Sequence, residues 1–316
     1  MLTRRELMKN VAAGGAATIA LSGAYPRGTA AGPTQAQPAG PEAKRTFKLR
    51  YAPHFGMFTN LGGKDMIDQI KFMADQGFTA LEDNGLRHRS AKDQDRIGKE
   101  LARLNMTMGV FIVNMGTGFG TAAFAGPDKG PREAFLKECK ESIEAAKRVN
   151  AKWMTVIPGR QYTRLHRDYQ TQLAVELLKR ACEIFEPHRM IMVIEPLNFR
   201  DHPGQFLQRT GQAYHLCKSV NSAACKILFD IYHQQITEGD LIPNVDRAWS
   251  EIAYIQAGDN PGRREPGTGE INFRNVFAHV HRKGFKGIVG MEHGLSRGGP
   301  EGEKALIDAY AAADSF

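Results

Sequence analysis

Eight short apolar runs, each followed by a stretch of helical periodicity, constrain this chain more than any other feature. The runs occupy residues 47–52, 80–82, 107–113, 153–156, 190–195, 225–230, 252–257 and 287–291. Their length and their polar or glycine-bearing borders predict buried strands. After them, apolar residues recur at the helical period over 65–76, 91–104, 131–149, 168–188, 205–220, 241–250, 272–283 and 300–313. Gly77 and Gly284 follow two of these stretches, where glycine can take the left-handed conformation that ends a helix. Strand and helix alternating eight times predict an α/β fold, a (β/α)8 TIM barrel, as a single domain over 46–316. The rival, an open doubly wound sheet, normally carries a glycine-rich phosphate turn after its first strand. Here that position holds Pro53, His54, Phe55, Gly56, Met57 and Phe58.

The first 45 residues follow a different logic. Thr3, Arg4, Arg5, Glu6, Leu7, Met8 and Lys9 form a twin-arginine pattern, and a Gly/Ala-rich apolar run extends from Val11 to Ala24. Residues 1–30 are therefore expected to be a twin-arginine signal segment and 31–45 a flexible linker, with the export machinery as a partner and the periplasm as destination. The apolar run is too short for a stable membrane span, which takes roughly 20 apolar residues. Residues 1–45 hold six basic and two acidic residues, half of the net +8 of the whole chain. The remaining body is mildly basic and lacks the clustered stripe of a nucleic-acid face, so no nucleic-acid partner is expected. Cys139, Cys182, Cys217 and Cys225 have no zinc or redox spacing and read as small buried residues. No apolar stripe specifies an interface, which leaves a homo-oligomer open.

In a barrel of this kind the C-terminal strand ends converge on one face and carry the chemistry. Strands five to eight end in Glu195, Asp230, Gln256 and Glu292, separated by 35, 26 and 36 residues, about one strand-helix unit each. Three carboxylates and an amide carbonyl form a hard, all-oxygen set suited to Mg2+ or Mn2+. A metal between paired glutamates points to proton transfer beside a carbonyl, with one glutamate removing a carbon-bound proton and the other returning it. His54 and Glu82, at the ends of strands one and two, are predicted to face the same pocket and touch substrate, and Asn114 after strand three is similar. Asp201 and His202 read as a solvated loop, and 267–269 as a tight turn.

Three segments carry a family resemblance: Ile194-Glu195-Pro196-Leu197-Asn198, Phe229-Asp230-Ile231-Tyr232-His233, and residues 259–271, Asp259-Asn260-Pro261-Gly262-Arg263-Arg264-Glu265-Pro266-Gly267-Thr268-Gly269-Glu270-Ile271. They resemble hydroxypyruvate isomerase, within the xylose-isomerase-like sugar isomerase and epimerase superfamily. The resemblance implies that Glu195 and Glu292 are paired catalytic residues as well as metal ligands, with Asp230 and Gln256 completing the coordination. It also implies that His233 and Arg263 bind substrate, with Arg264 a neighbouring candidate. A guanidinium there suits a carboxylate such as that of hydroxypyruvate or tartronate semialdehyde. Two positions depart from the family: Tyr254 replaces a histidine usual two residues before Gln256, and His293 replaces an aromatic residue beside Glu292.

The sequence therefore predicts a divalent-metal-dependent isomerase acting on a small carbohydrate or hydroxy-keto acid. Three alternatives stand beside it: an exported keto-sugar 3-epimerase or keto-glycoside lyase using the same metal site, a non-catalytic sugar-binding barrel, and an endonuclease IV-like phosphodiesterase.

Overall fold

Four of the helices begin where a side chain accepts from a free backbone N–H. In a computed structural model describing residues 45–316, Asp65 Oδ1 accepts from Ile67 N at 2.8 Å at the start of α1 (Met66–Asp75). Ser90 does the same for Asp93 N at 3.1 Å ahead of α2 (Ala91–Arg103). Such caps contribute about 1 kcal/mol each. Gly77 and Gly284 have φ of 94° and 78°, as their sequence positions led us to expect. The signal segment expected over 1–30, and the linker expected over 31–45 except Arg45, lie outside the described residues.

The remaining elements are β1 (Tyr51–Ala52), β2 (Ala80–Leu81), β3 (Thr107–Met108), α3 (Met115–Gly118), α4 (Lys129–Val149), β4 (Trp153–Val156), α5 (Arg167–Phe185), β5 (Ile191–Ile194), α6 (Thr210–Val220), β6 (Cys225–Asp230), α7 (Ile231–Thr237), α8 (Leu241–Ala248), β7 (Ile252–Gln256), α9 (Phe273–Arg282), β8 (Val289–Gly290) and α10 (Gly299–Ala313). All strand pairings are parallel. Six strands run in the order β1-β8-β7-β6-β5-β4, and β2 pairs with β3. Two single bridges, His54 with Glu82 and Ile112 with Thr155, join the two sheets. They close the ring, and the fold is a TIM barrel.

One side chain from each expected strand fills the barrel: Ala52, Ala80, Val110, Trp153, Val193, Leu228, Tyr254 and Ile288 form one buried cluster. The two alanines leave room for Trp153 and Tyr254, whose rings lie 6.2 Å apart. A second, larger core lies between strands and helices, and all four cysteines are buried and free.

Three helices depart from the sequence pattern. The short helices α3 and α7 interrupt loops, and the helix expected from residue 205 starts at Thr210. The reason for α7 is local: Asp230 ends β6 and its Oδ1 caps the next turn by accepting from Tyr232 N at 2.8 Å.

Gly98 marks a tight contact between α2 and α4. A Cβ there would run into the carbonyl oxygen of Arg148. Alanine is normally better than glycine in a helix by about 1 kcal/mol, but backbone cannot yield as a side-chain tip can. Gly98→Ala is expected to lower the melting temperature, with a net cost of about 1–3 kcal/mol in chemical denaturation.

Candidate active site

The strand ends deliver their polar residues to one rim. Glu195 follows β5, Asp230 closes β6, Gln256 closes β7 and Glu292 follows β8 by two residues. In the sheet register Gln256 pairs with Asp230 on one side and with Gly290 on the other, which seats it between the acidic ends of its neighbours. Glu195, Asp230 and Gln256 are all buried.

Arg263 stands among these groups. Its Nη2 donates to Glu292 Oε2 at 2.7 Å and to Asp230 Oδ2 at 3.2 Å, and its Nε donates to the Glu292 carbonyl at 3.2 Å. The guanidinium also lies 4.9 Å from the ring centroid of Tyr232. Of the two adjacent arginines, Arg263 enters the site, while the guanidinium of Arg264 lies against Gly294.

Arg263 reaches this position from a constrained loop. Its φ is 51°, a left-handed conformation that costs a non-glycine residue about 1–2 kcal/mol. Asp259 imposes it. One carboxylate accepts from four backbone donors: Asn260 N and Ile271 N at 2.9 and 3.1 Å on Oδ1, Gly267 N and Gly269 N at 2.9 and 2.8 Å on Oδ2. Residues 267–269 thus form the tight turn their composition predicts. Asp259 N donates to the Arg264 carbonyl at 2.7 Å and Arg263 N donates to the Asp259 carbonyl at 2.8 Å, and these two bonds close the neck of the loop.

The carboxylates are crowded. Burial, then Glu292 and Asp230, holds Glu195 well above the ordinary carboxylate range. Burial also raises Asp230, opposed by Arg263 and by backbone N–H bonds. For Arg263, burial pulls downward, but Glu292 and Asp230 outweigh it and keep the guanidinium charged.

His233 has a defined tautomer. Its Nδ1 accepts from Asn198 N at 3.2 Å and from Asn198 Nδ2 at 2.7 Å, the amide orientation being set by Asp201 N donating to Asn198 Oδ1. The ring proton of neutral His233 therefore sits on Nε2, 3.7 Å from Glu195 Oε1 and 3.5 Å from Asp230 Oδ2. Burial, then Arg263, pushes its pKa down to about 3. Ligand atoms of Glu195, Asp230 and His233 lie within 4.8 Å of one another. Yet an imidazole whose Nδ1 accepts hydrogen bonds has no free lone pair on Nε2, so His233 is an N–H donor here rather than a metal ligand.

The donor set that fits a divalent cation is the carboxylate oxygens of Glu195, Asp230 and Glu292 with the carbonyl of Gln256. Gln256 Oε1 is buried without a hydrogen-bond partner, an arrangement that costs about 1–3 kcal/mol unless something meets it. A hard cation beside carboxylates would.

The other predicted residues occupy different positions. Glu82 was expected to touch substrate; instead it is 1% exposed, and its two oxygens accept from Tyr254 and Gln256. Both ring nitrogens of His54 face carbonyl oxygens, of Phe55 at 2.8 Å and of His293 at 3.2 Å. Asn114 is buried and exchanges two hydrogen bonds with the backbone of Ile157. Asp201 lies in an exposed loop, as expected, though it accepts from Tyr232 Oη at 2.7 Å, whereas His202 is half-buried with its ring 5.4 Å from that of His233. Asn84, which sequence reasoning missed, donates to Glu292 Oε1 at 3.0 Å. Its only signal was its place two residues beyond a strand end.

With this geometry in view, the comparisons with known proteins are specific. The family model described as xylose isomerase-like TIM barrel matches residues 70–312. The chain belongs to that family. It is 32% identical over 164 residues to hydroxypyruvate isomerase of Escherichia coli, covering 52% of this chain and 64% of that protein. It is 40% identical over 102 residues to 2-oxo-tetronate isomerase of Cupriavidus necator, covering 32% of this chain and 39% of that protein. Each match thus spans less than two thirds of the relative's own length. Among solved structures, one described as AP endonuclease, family 2, from Brucella melitensis superposes with a TM-score of 0.70 at 25% identity, covering 83% of this chain and 99% of that one.

His293 turns inward. Its Nδ1 donates to the Gly294 carbonyl at 2.8 Å and its Nε2 accepts from Tyr310 Oη at 2.9 Å, a neutral arrangement. Burial pushes its pKa down to about 4. A depressed histidine stabilises fully above its unfolded value near 6.5, and that contribution is lost as pH falls through the folded value. The melting temperature is therefore expected to fall between pH 6.5 and 4. His293→Gln should flatten that fall by about 3 kcal/mol, measured as unfolding free energy against pH; an unchanged slope would count against the assignment.

Proposed function

We propose that this chain is a divalent-metal-dependent isomerase of small hydroxy-keto acids or sugars, of hydroxypyruvate isomerase type. One observation carries the reading: two glutamates from different strand ends, Glu195 and Glu292, gather at one rim with a guanidinium, an imidazole N–H and an unpartnered buried carbonyl. The names of the isomerase relatives support it.

When bound by Glu195, Asp230, Glu292 and Gln256, Mg2+ or Mn2+ supplies Lewis acidity to an α-hydroxy carbonyl and lowers the cost of enediolate charge. The chain's own groups do the rest. Arg263, held charged, offers N–H donors to a substrate carboxylate or carbonyl in a site where solvent is scarce. His233 Nε2–H donates to a substrate oxygen as negative charge grows there. One glutamate takes the proton from the hydroxyl-bearing carbon, and the other delivers a proton to the former carbonyl carbon. For hydroxypyruvate, C3 loses and C2 gains a carbon-bound proton while the C3 hydroxyl proton passes to the C2 oxygen, which yields tartronate semialdehyde with no net change in atoms or electrons. Burial raises Glu195 above the ordinary carboxylate range, the direction that favours a group which must return a proton as well as take one.

A second reading has its own support. The rings of His233, His202 and Phe119 follow one another at 5.4 and 5.8 Å, and Phe199 is 54% exposed on the same loop as His202. That wall suits a second ring, as in a keto-glycoside undergoing epimerisation or elimination. The phosphodiesterase reading fits less well: the ligand cluster found among the described residues contains one histidine, and its Nε2 carries a proton.

Export remains part of the proposal. The twin-arginine pattern supports it, and replacing Arg4 and Arg5 by lysine is expected to leave the chain in the cytoplasmic fraction. For the chemistry, the test is proton NMR in D2O with Mn2+ against hydroxypyruvate, ketohexoses and 3-keto-glycosides. Deuterium should enter beside a carbonyl, and Glu195→Gln and Glu292→Gln should each slow exchange roughly 100-fold or more. Exchange without aldose-ketose conversion would select the epimerase or lyase reading. Full activity in both variants would remove the paired-glutamate mechanism.

A further inference from the structure

Glu82 takes no part in the reaction described above, yet it is a buried carboxylate beneath the site. Its Oε1 accepts from Gln256 Nε2 at 2.8 Å and its Oε2 accepts from Tyr254 Oη at 2.9 Å. Tyr254 is itself fixed, fully buried in the barrel interior with its ring tilted against that of Trp153. On the other side Gly290 presses close: a Cβ there would run into Glu82 Oε2. The carboxylate has no room to swing.

This matters because a glutamine amide has two ends of nearly equal shape and opposite chemistry. Turned one way, Gln256 offers a carbonyl oxygen to its surroundings; turned the other, it offers two N–H groups, which repel a cation. The bond to Glu82 claims the nitrogen, and the oxygen is the atom left buried without a partner. We propose that Glu82, braced by Tyr254 and Gly290, is a positioning residue that turns the Gln256 carbonyl toward the acidic rim and so makes it a divalent-cation ligand. The inference rests on the metal reading of the site. It also accounts for Tyr254, the family departure: a phenol at this position reaches the Glu82 oxygen that Gln256 does not use.

The test is Mn2+ affinity of the full chain, by calorimetry and by the EPR signal of free Mn2+, with no substrate present. Glu82→Gln is isosteric but can present either oxygen or nitrogen to Gln256, so it removes the orientation without removing the contact. Loss of such an outer partner typically weakens metal binding 10–100-fold, and that loss is expected here. Tyr254→Phe keeps the Gln256 bond while freeing one oxygen of Glu82, and a smaller loss is expected; it also serves if Glu82→Gln fails to fold. The decisive measurement is the double variant. If Glu82 acts through Gln256, adding Glu82→Gln to Gln256→Ala changes the affinity no further. An equal further loss would overturn the inference, because a general structural role persists in that background. Wild-type affinity in Glu82→Gln would overturn it as well. Failure of the unaltered chain to bind Mn2+ at millimolar concentration would instead bring down the metal reading itself, and this inference with it.

Discussion

One buried positive charge, the guanidinium of Arg263, makes the acidic rim tolerable. Glu195, Asp230 and Glu292 converge on it, with Glu82 close behind. Two like charges 4 Å apart repel by about 4 kcal/mol at an effective dielectric constant of 20, so one guanidinium cannot hold four ionised carboxylates together. Burial first, and then the neighbouring carboxylates, holds Glu195 and Glu82 well above the ordinary range, and burial raises Asp230 as well. A doubly charged cation would relieve the same repulsion and favour the ionised carboxylates. The cluster is thus a source of instability in isolation and a sink for a hard cation.

The guanidinium in turn depends on the loop that carries it. Asp259 spends both oxygens on four backbone N–H groups, and that latch forces Arg263 into a left-handed backbone. The conformational cost is small against four hydrogen bonds to a charged acceptor, each contributing about 1.5–3 kcal/mol. The geometry therefore runs from Asp259 to the loop, from the loop to Arg263, and from Arg263 to the acidic rim.

Much of this was legible in the sequence because barrels obey a strong positional rule. Strand ends share a face, so Glu195, Asp230, Gln256 and Glu292 could be grouped from spacing alone. The rule says where a side chain emerges, and nothing of which way it then turns. Glu82 emerges at the rim and turns down to Tyr254 and Gln256, 172 and 174 residues later in the chain. Asn114 emerges there too and closes on the backbone of Ile157. Such partners are set by packing across the barrel, and no local pattern encodes them. The short helix α7 escaped for a related reason: its start signal is Asp230, whose one oxygen caps a helix while the other faces Arg263. Periodicity cannot reveal a residue that serves two elements at once.

The site divides its parts between strand ends and loops. The oxygen donors belong to strand ends or lie just beyond them, anchored by the parallel ladder from β5 to β8. The groups that would meet the rest of a substrate, His202, Phe119 and Phe199, belong to loops. His233 lies between these two sets, on α7 but tied by Asn198 to the loop after β5. Loops tolerate substitution far better than strands whose side chains pack in the barrel. Changing the ring wall would thus reshape the loop side of the site without moving the carboxylates at the strand ends. In the proposed chemistry, isomerisation returns the proton to the neighbouring carbon and epimerisation to the opposite face of the same carbon. Under that proposal the strand ends would set the reaction class, and the loops that clamp the substrate its outcome.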